Sequence, residues 1–375
     1  MPPMLNYSLS DALIGLFSLV VGAFFGDFLK GFAGNFWSRF GTTVRSALTP
    51  KVGTKKKDEY FNLGALETSL FLIDGNGHAQ YTPQSLKAKY SDGSPESPDD
   101  ISDRILRKEM QMEKEREAGN LTIWDGIGVG LQNYNILRDQ HEVNLAIDLN
   151  FYKSRYAAFQ AVVGAIATED RNLQGSIYSR YLKNINPRET IPFLARHVGV
   201  VAVVATSDQK LVVVRRSSRT GMRPSQHDVS IVEGIEPTKD ADLSGSWTEI
   251  DVYKTIIRGC DEELGFKPTH EQIKILGLGV DMKYYQFNFV AFIQSQVRSD
   301  EMVSKRNGRA KDAWETQVEL LNFELSEVVE FIATHKMWGF AVIGLYWALL
   351  QKFTRRAVDA KANQVLTTDR IGNLQ

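Results

Sequence analysis

The chain has 375 residues, which is more than one average domain needs and enough to bury a sizeable hydrophobic core. Its formal charge of −1 excludes a chain-wide surface for polyanions, so any contact with phosphate must be local. The single cysteine, Cys260, excludes a disulfide within the chain and fits a reducing compartment.

The N-terminal segment predicts a transmembrane helix over residues 9–30. Residues 12–26 carry no charge, and about 20 residues suffice to cross the core of a bilayer. A buried or surface-lying amphipathic helix is the alternative. Basic residues follow without an acid as far as residue 57, so the positive-inside rule predicts a single pass with the N-terminus outside and the remainder cytoplasmic.

Small residues recur every four positions along this segment, at Ser18, Gly22 and Gly26. Such a face lets helix backbones approach closely in lipid, which predicts assembly into a homo-oligomer within the bilayer. The alternative is that glycine is simply frequent in membrane helices.

Residues 31–120 are predicted to form a basic neck and linker, whose basic residues can attract anionic lipid. Within it, residues 90–100 are rich in Ser, Pro, Asp and Gly and predict a loop. Residues 101–118 are dense in Lys, Arg and Glu and predict a solvated helix. The fold of the remaining linker stays open.

Residues 121–192 predict a β-containing extension. Apolar residues alternate from Val143 to Leu149, as in a half-buried strand, and the preceding segment is its expected partner. Three glycines in that partner, Gly126, Gly128 and Gly130, are two residues apart with no helix signal after them. They favour a strand or bulge over a phosphate loop.

Residues 193–353 predict a compact α/β domain, and residues 354–375 a tail. The expected elements are a hairpin over 197–224, helices over 250–266 and 314–334, and a strand over 283–297. Residues 337–353 are apolar but short for a membrane span. A buried capping helix is favoured there over a second span.

The helix over 250–266 carries a candidate metal site. Arg258 and Glu262 are four residues apart and can pair on one face, and Glu263 adds a second carboxylate near the end of the helix. Magnesium prefers hard oxygen ligands and takes one or two carboxylates together with substrate phosphate. The alternative is a solvated helix, on which such residues are common.

At this helix the chain resembles the Nudix superfamily, whose box runs G-x5-E-x7-R-E-U-x-E-E-x-G-U, where U is a bulky aliphatic residue. Its arginine, paired glutamates and second glycine match Arg258, Glu262, Glu263 and Gly265, and Cys260 and Phe266 take aliphatic positions. The first box glycine matches Gly234, with an insertion of about ten residues over 239–248. The resemblance covers roughly 193–353 and implies that 121–192 is the extension of a large-Nudix subgroup.

Position 259 departs from the box. Nudix hydrolases usually place a magnesium-binding glutamate there, and this chain has Gly259. The resemblance therefore implies residual Mg²⁺ binding by Glu262 and Glu263, with Arg258 orienting the box. Efficient hydrolysis requires that another carboxylate, from Glu233, Glu236 or Glu249, takes the missing place.

An arginine-rich segment follows the hairpin's second strand, with Arg215, Arg216, Arg219 and Arg223. Guanidinium groups match phosphate oxygens, so these residues are candidates for nucleotide binding. The alternative is a solvated basic loop. Three aromatic residues, Tyr284, Tyr285 and Phe287, are candidates for base stacking or for the core.

Taken together, the predicted fold class is α+β: a transmembrane helix followed by a cytoplasmic Nudix-like α/β/α sandwich with a β-containing extension. This architecture resembles the transmembrane–Nudix effectors of bacterial CBASS anti-phage defence. The resemblance implies an inner-membrane protein that binds a cyclic (oligo)nucleotide, assembles in the lipid bilayer and disrupts it, so that the infected cell dies. No protein-coding nucleic acid is expected as a target. The alternative is a membrane-tethered, Mg²⁺-dependent Nudix hydrolase of nucleoside diphosphate derivatives.

Overall fold

One mixed β-sheet of 14 strands runs through the structure, a computed structural model that describes residues 59–119, 125–137, 145–218, 222–242, 248–309 and 316–371. The strands are, in chain order, β1 (Tyr60–Leu63), β2 (Leu66–Gly75), β3 (Tyr81–Ser91), β4 (Ile127–Leu137), β5 (Leu145–Arg155), β6 (Val198–Ala205), β7 (Lys210–Arg216), β8 (His227–Val229), β9 (Ile231–Gly234), β10 (Ala241–Asp242), β11 (Thr248–Ile250), β12 (Ile273–Asp281), β13 (Gln286–Gln294) and β14 (Thr316–Asn322).

Helices lie on both sides of this sheet. They are, in chain order, α1 (Asp99–Glu117), α2 (Tyr156–Thr168), α3 (Pro237–Asp240), α4 (Val252–Gly259), α5 (Ser299–Arg309), α6 (Leu325–Thr334), α7 (Gly339–Leu350), α8 (Arg355–Val365) and α9 (Thr368–Ile371). Two separate cores result, because alternate residues of a strand point to opposite faces. Val200 and Ala202 of β6 pack in the core with α4, whereas Val201 and Val203 pack in the core with α6, α7 and α8.

The main path of the sheet is β10-β11-β3-β12-β13-β6-β7-β14. β13 runs parallel to β6, and β12 runs antiparallel to both β13 and β2. β3 runs parallel to β5, which also pairs with β4. The strands of the predicted linker and of the predicted extension therefore join the same sheet as residues 193–353, which we call the box region.

β6 changes partners along its length, and this change creates the site. At its C-terminal end β6 pairs with β7, and over Gly199–Ala202 it pairs with β9. β8 stays with β7, so β8 and β9 separate at Ser230. The buried Ser230 hydroxyl donates to the carbonyl of Val212 and accepts from the amide of Val204, which satisfies the backbone at the split. β9 is thereby turned towards α4.

The predicted fold class is wrong. The structure is mixed α/β with one large sheet, and none of the helices within the described ranges is long and apolar enough to cross a membrane. Segment 9–30, with Ser18, Gly22 and Gly26, lies outside the described residues. The single sheet depends on pairings between segments far apart in sequence, such as β2 with β12. Local hydrophobic periodicity does not predict such pairings.

The helix predicted over 314–334 is also wrong in its first part. Residues 316–322 form β14, which pairs antiparallel with β7, and α6 begins only at Leu325. The prediction over 337–353 is confirmed as a buried helix: α7 has 12 residues, all buried. The glycines of β4 are strand glycines as predicted, and a Cβ on Gly130 would lie 2.1 Å from Cζ of Tyr152.

Candidate functional site

Helix α4 positions Arg258 beside the C-terminal end of β9. The helix begins after Asp251, whose side chain accepts a hydrogen bond from the amide of Tyr253 at 2.9 Å and caps the first turn. It continues through a wider turn over Cys260–Leu264 and ends at Gly265, whose φ of 71° is the left-handed conformation expected at a helix C-terminus. Cys260 and Phe266 are buried, as their aliphatic box positions predict.

Four carboxylates surround the Arg258 guanidinium, and we call this group the Arg258 cluster. Asp240 accepts from both Nε (3.0 Å) and Nη2 (2.9 Å). Nη1 lies 2.9 Å from Glu233, 3.5 Å from Glu236 and 3.3 Å from Glu262. Nη2 also donates to the carbonyl of Gly234 at 2.7 Å. Arg258 therefore ties α4 to β9 and α3 through charge-assisted hydrogen bonds.

Glu233 is a carboxyl group of the Arg258 cluster whose pKa is shifted. Burial raises its pKa to about 7, although Arg258 beside it acts in the opposite direction. Its Oε1 also accepts from the amide of Gly234 at 3.1 Å. A proton can therefore reside on this carboxyl group near neutral pH, which reduces the repulsion from Glu236 and Glu262.

Gly259 is buried under β9, where a side chain has no room. A Cβ at this position would lie 2.7 Å from Cγ2 of Ile231 and 3.1 Å from Cβ of Glu233. Real Cβ contacts below 3.0 Å are essentially never seen, so a glutamate here would require β9 to shift. The side chain of Glu233 instead occupies the space beside the position where the Nudix box usually carries its glutamate.

The two remaining box glutamates are held by protein groups. Glu262 lies 3.6 Å from the Lys239 ammonium as well as beside Arg258. Oε1 of Glu263 accepts from the amide of Val232 at 3.1 Å. Across the described ranges, no group of three or more His, Cys, Asp or Glu side chains is arranged to hold a metal ion.

The predicted arginine group is spread over different surroundings. Arg215 is exposed on β7, and Arg216, next along that strand, donates from Nε to the carbonyl of Met222 at 3.1 Å. Arg223 is buried, with Nη2 3.4 Å from Asp228 and its guanidinium 3.2 Å from the centre of the Trp338 ring. Arg219 lies outside the described residues. The three described arginines are therefore exposed, partly buried and buried, respectively.

The three candidate aromatic residues are all buried, and Tyr284 packs against Phe159 and Val163. Phe287 and Tyr285 are buried, and the Tyr285 hydroxyl accepts from the amide of Ile191 at 2.8 Å. Tyr284 retains 9% exposure and lines a cavity beside α7. Only Tyr284 is therefore available for stacking on a ligand.

Two contributors to the site were not evident as such in the sequence. Asp240 lies in the stretch that the box spacing marks as an insertion, where no motif register assigns it a role. His197 lies against the box glycine, since a Cβ on Gly234 would be 2.7 Å from its Cε1, and burial lowers its pKa to about 4. Glu249, in contrast, is exposed on β11 opposite Lys89.

Comparison with known proteins identifies no family for the chain. No protein-family model matches it, and no curated protein does. Among solved structures, the crystal structure of DR0079 from Deinococcus radiodurans at 1.9 Å resolution matches 37% of this chain and 73% of its own, at 18% identity and a TM-score of 0.26. A similarity this low carries no argument about fold or function.

Proposed function

We propose that the part of the chain over residues 193–353 binds a nucleotide without cleaving it, and that the protein senses a cyclic (oligo)nucleotide as an effector of bacterial antiviral defence. The observation that carries this proposal is the packing at Gly259. Ile231 and Glu233 fill the space that a glutamate at position 259 would need, so this position supplies no catalytic carboxylate.

The Arg258 cluster supports the same proposal. In a metal-dependent hydrolase, carboxylate oxygens must converge on a cation that also holds substrate phosphate. Here Asp240 and Glu262 are directed at Arg258, and Glu263 is directed at the backbone of β9. In this arrangement they stabilise the contacts of α4 with β9 and α3.

One observation favours the alternative of an Mg²⁺-dependent hydrolase. The side chain of Glu233 lies beside Gly259 and contacts Arg258, so a carboxylate from β9 has entered the space left by the missing one. A rearrangement that released Glu233, Glu262 and Glu263 from Arg258 and Val232 would create three oxygen ligands for Mg²⁺.

The experiment that separates the two functions uses the full chain, Mg²⁺ and two kinds of nucleotide. Cyclic dinucleotides and ADP-ribose are each incubated with the protein, and products are separated by chromatography. We expect a cyclic dinucleotide to be bound and recovered intact. Turnover above about 1 s⁻¹, an ordinary enzyme rate, that is lost in Glu263→Gln would overturn the proposal and establish the hydrolase.

A further inference from the structure

A cavity of about 290 Å³ opens at the end of the sheet, beside the first turn of α7. We call it the α7 cavity. Its walls come from β2, from the turn between β12 and β13, from the residue before β8 and from the segment joining α6 to α7. The lining residues that matter here are Ser69, Gln226, Asp281, Lys283, Tyr284 and Lys336, together with Trp338.

Two aromatic side chains give the α7 cavity a fixed apolar wall. Trp338 and Tyr284 are 5% and 9% exposed, so each presents only a small part of its surface to the cavity. Nε1 of Trp338 donates to Asp228 at 2.8 Å, and the buried Arg223 guanidinium stacks on the indole ring. These contacts fix the ring and cover one of its faces, so a ligand in the cavity packs against the small exposed part of a rigid side chain, which lowers the entropy lost on binding.

Two basic side chains and one acidic side chain, that of Glu67, lie at the mouth of the same cavity. Lys283 and Lys336 line it, and both are exposed. Helix α7 begins there, after Trp338, and no side chain caps its first turn. The N-terminus of a 12-residue helix carries partial positive charge and unpaired N–H groups, so this end of the cavity favours an anion such as a phosphate group.

The inner end of the cavity offers hydrogen-bonding groups from Asp281 and Gln226. Asp281 is buried and accepts from the Ser69 hydroxyl at 2.5 Å and from the amide of Lys283 at 2.9 Å. Burial raises the pKa of Asp281. Gln226 adds an amide that can both donate and accept. Such groups match the mixed donors and acceptors on the edge of a nucleobase.

We infer that the α7 cavity binds one nucleotide unit. The base packs against Trp338 and Tyr284, and the phosphate lies at the N-terminus of α7 between Lys283 and Lys336. The volume is at the lower end of the range of small-molecule sites, so one unit fits inside and the remainder of a cyclic oligonucleotide extends outward. This inference rests on the proposed function, but it assigns the nucleotide to the α7 cavity and not to the Arg258 cluster.

The test measures binding to the full chain by calorimetry, with AMP, GMP, CMP and UMP as probes and with adenosine and inorganic phosphate as fragments. At least one monophosphate should bind at least tenfold more tightly than either fragment. The double variant Lys283→Glu/Lys336→Glu should weaken that binding at least tenfold, because both residues are exposed and their substitution spares the core. Lys274→Glu, an exposed lysine at the other end of β12, is the matched control and should bind as the wild type does.

The outcomes distinguish the assignment of the α7 cavity as the nucleotide site from the proposal that the protein senses a nucleotide. Binding of none of the four monophosphates, or undiminished binding by the double variant, overturns the α7 cavity as the site. Loss of binding in Glu263→Gln with none in the double variant also overturns it, while leaving nucleotide sensing intact. Cleavage of a cyclic dinucleotide by wild-type protein ends the sensing proposal, and loss of monophosphate binding in the double variant would still support the cavity.

Discussion

At the scale of single residues, Gly259 stands where the box usually has a magnesium-binding glutamate, but the packing of β9 against it leaves no room for a side chain. Replacing it by alanine adds a methyl group 2.7 Å from Cγ2 of Ile231, a β-branched side chain with little freedom to move. Alanine regains about 1 kcal/mol of helix propensity, but overpacking costs about 1–3 kcal/mol. We therefore expect Gly259→Ala to lower the free energy of unfolding by up to about 2 kcal/mol in urea denaturation.

A matched control lies in α2. Gly164 is also inside a helix, but a Cβ there would meet nothing within 4 Å. Gly164→Ala should therefore stabilise the protein by about 0.5–1 kcal/mol, through propensity alone. Equal effects of the two substitutions would contradict the packing explanation of Gly259.

Glu233 makes stability depend on pH. Its pKa is about 7 in the folded protein and about 4.5 when unfolded, so between these values only the folded state holds the proton. The contribution of Glu233 to the free energy of unfolding is therefore stabilising below pH 4.5 and is lost as the pH rises through 7. From pH 5 to pH 8 the free energy of unfolding of the wild type should fall by up to about 3 kcal/mol relative to Glu233→Gln.

Comparison with that variant is needed because other groups titrate in the same range. His197, with a pKa lowered to about 4, contributes the opposite slope, since the unfolded state binds the extra proton between pH 4 and 6.5. Urea denaturation of both proteins at pH 5, 6, 7 and 8 removes this common term. Parallel pH profiles for the two proteins would show that the Glu233 carboxyl group is not protonated in the fold.

At the scale of secondary-structure elements, Arg258 joins α4 to β9 and α3. Arg258→Met removes the only cation within 3.0 Å of Asp240 and Glu233 among their described contacts, and leaves the buried Asp240 carboxylate and the partly buried Glu233 carboxyl group without it. Removing one partner of a buried ion pair costs about 3–5 kcal/mol, so we expect a loss of that size in thermal and urea unfolding. Arg258→Lys should recover only part of it, because an ammonium group cannot reproduce the two bonds to Asp240.

The control and the counter-test for Arg258 lie in the same region. Lys254 is exposed on the same helix, and Lys254→Met should change stability by no more than about 0.5 kcal/mol. Adding Asp240→Asn to Arg258→Met should restore part of the loss, because one of the unpaired charges is then gone. A double variant less stable than Arg258→Met alone would argue against a charge effect.

Elements with strong local signals could be predicted from the sequence, and those formed by distant pairing could not. The hairpin β6–β7 has β-branched runs, helix α4 has helical periodicity and the terminal Gly265, and α7 is a continuous apolar stretch. β14 is a half-exposed edge strand whose conformation depends on pairing with β7. The box arginine and glutamates were predicted, but the contacts of Glu233 and Asp240 depend on how β9 and α3 fold back on α4.

At the scale of the whole molecule, the sheet makes the box region depend on the strands that precede it. β12 pairs with β13 on one side and with β2 and β3 on the other. A fragment of residues 193–353 lacks β2 and β3, so it would expose one edge of β12 together with core residues such as Val280.

We therefore expect the fragment 193–353 to aggregate or to unfold without cooperativity. A fragment of residues 59–371, which retains every described strand, should be soluble and melt in one transition by circular dichroism. Size-exclusion chromatography of both fragments checks this. A monodisperse, cooperatively melting 193–353 fragment would contradict it.

The pairing of β2 with β12 also has a consequence for the order of events during synthesis. Leu70 and Asp281 lie side by side in the sheet, yet 211 residues separate them along the chain. At ribosomal rates of about 5–20 residues per second, roughly 10 to 40 s pass between the emergence of the two strands. Throughout that interval β2 and β3 cannot pair with β12, because β12 has not yet been synthesised. The nascent chain thus presents apolar strands to chaperones well before the box region has been made.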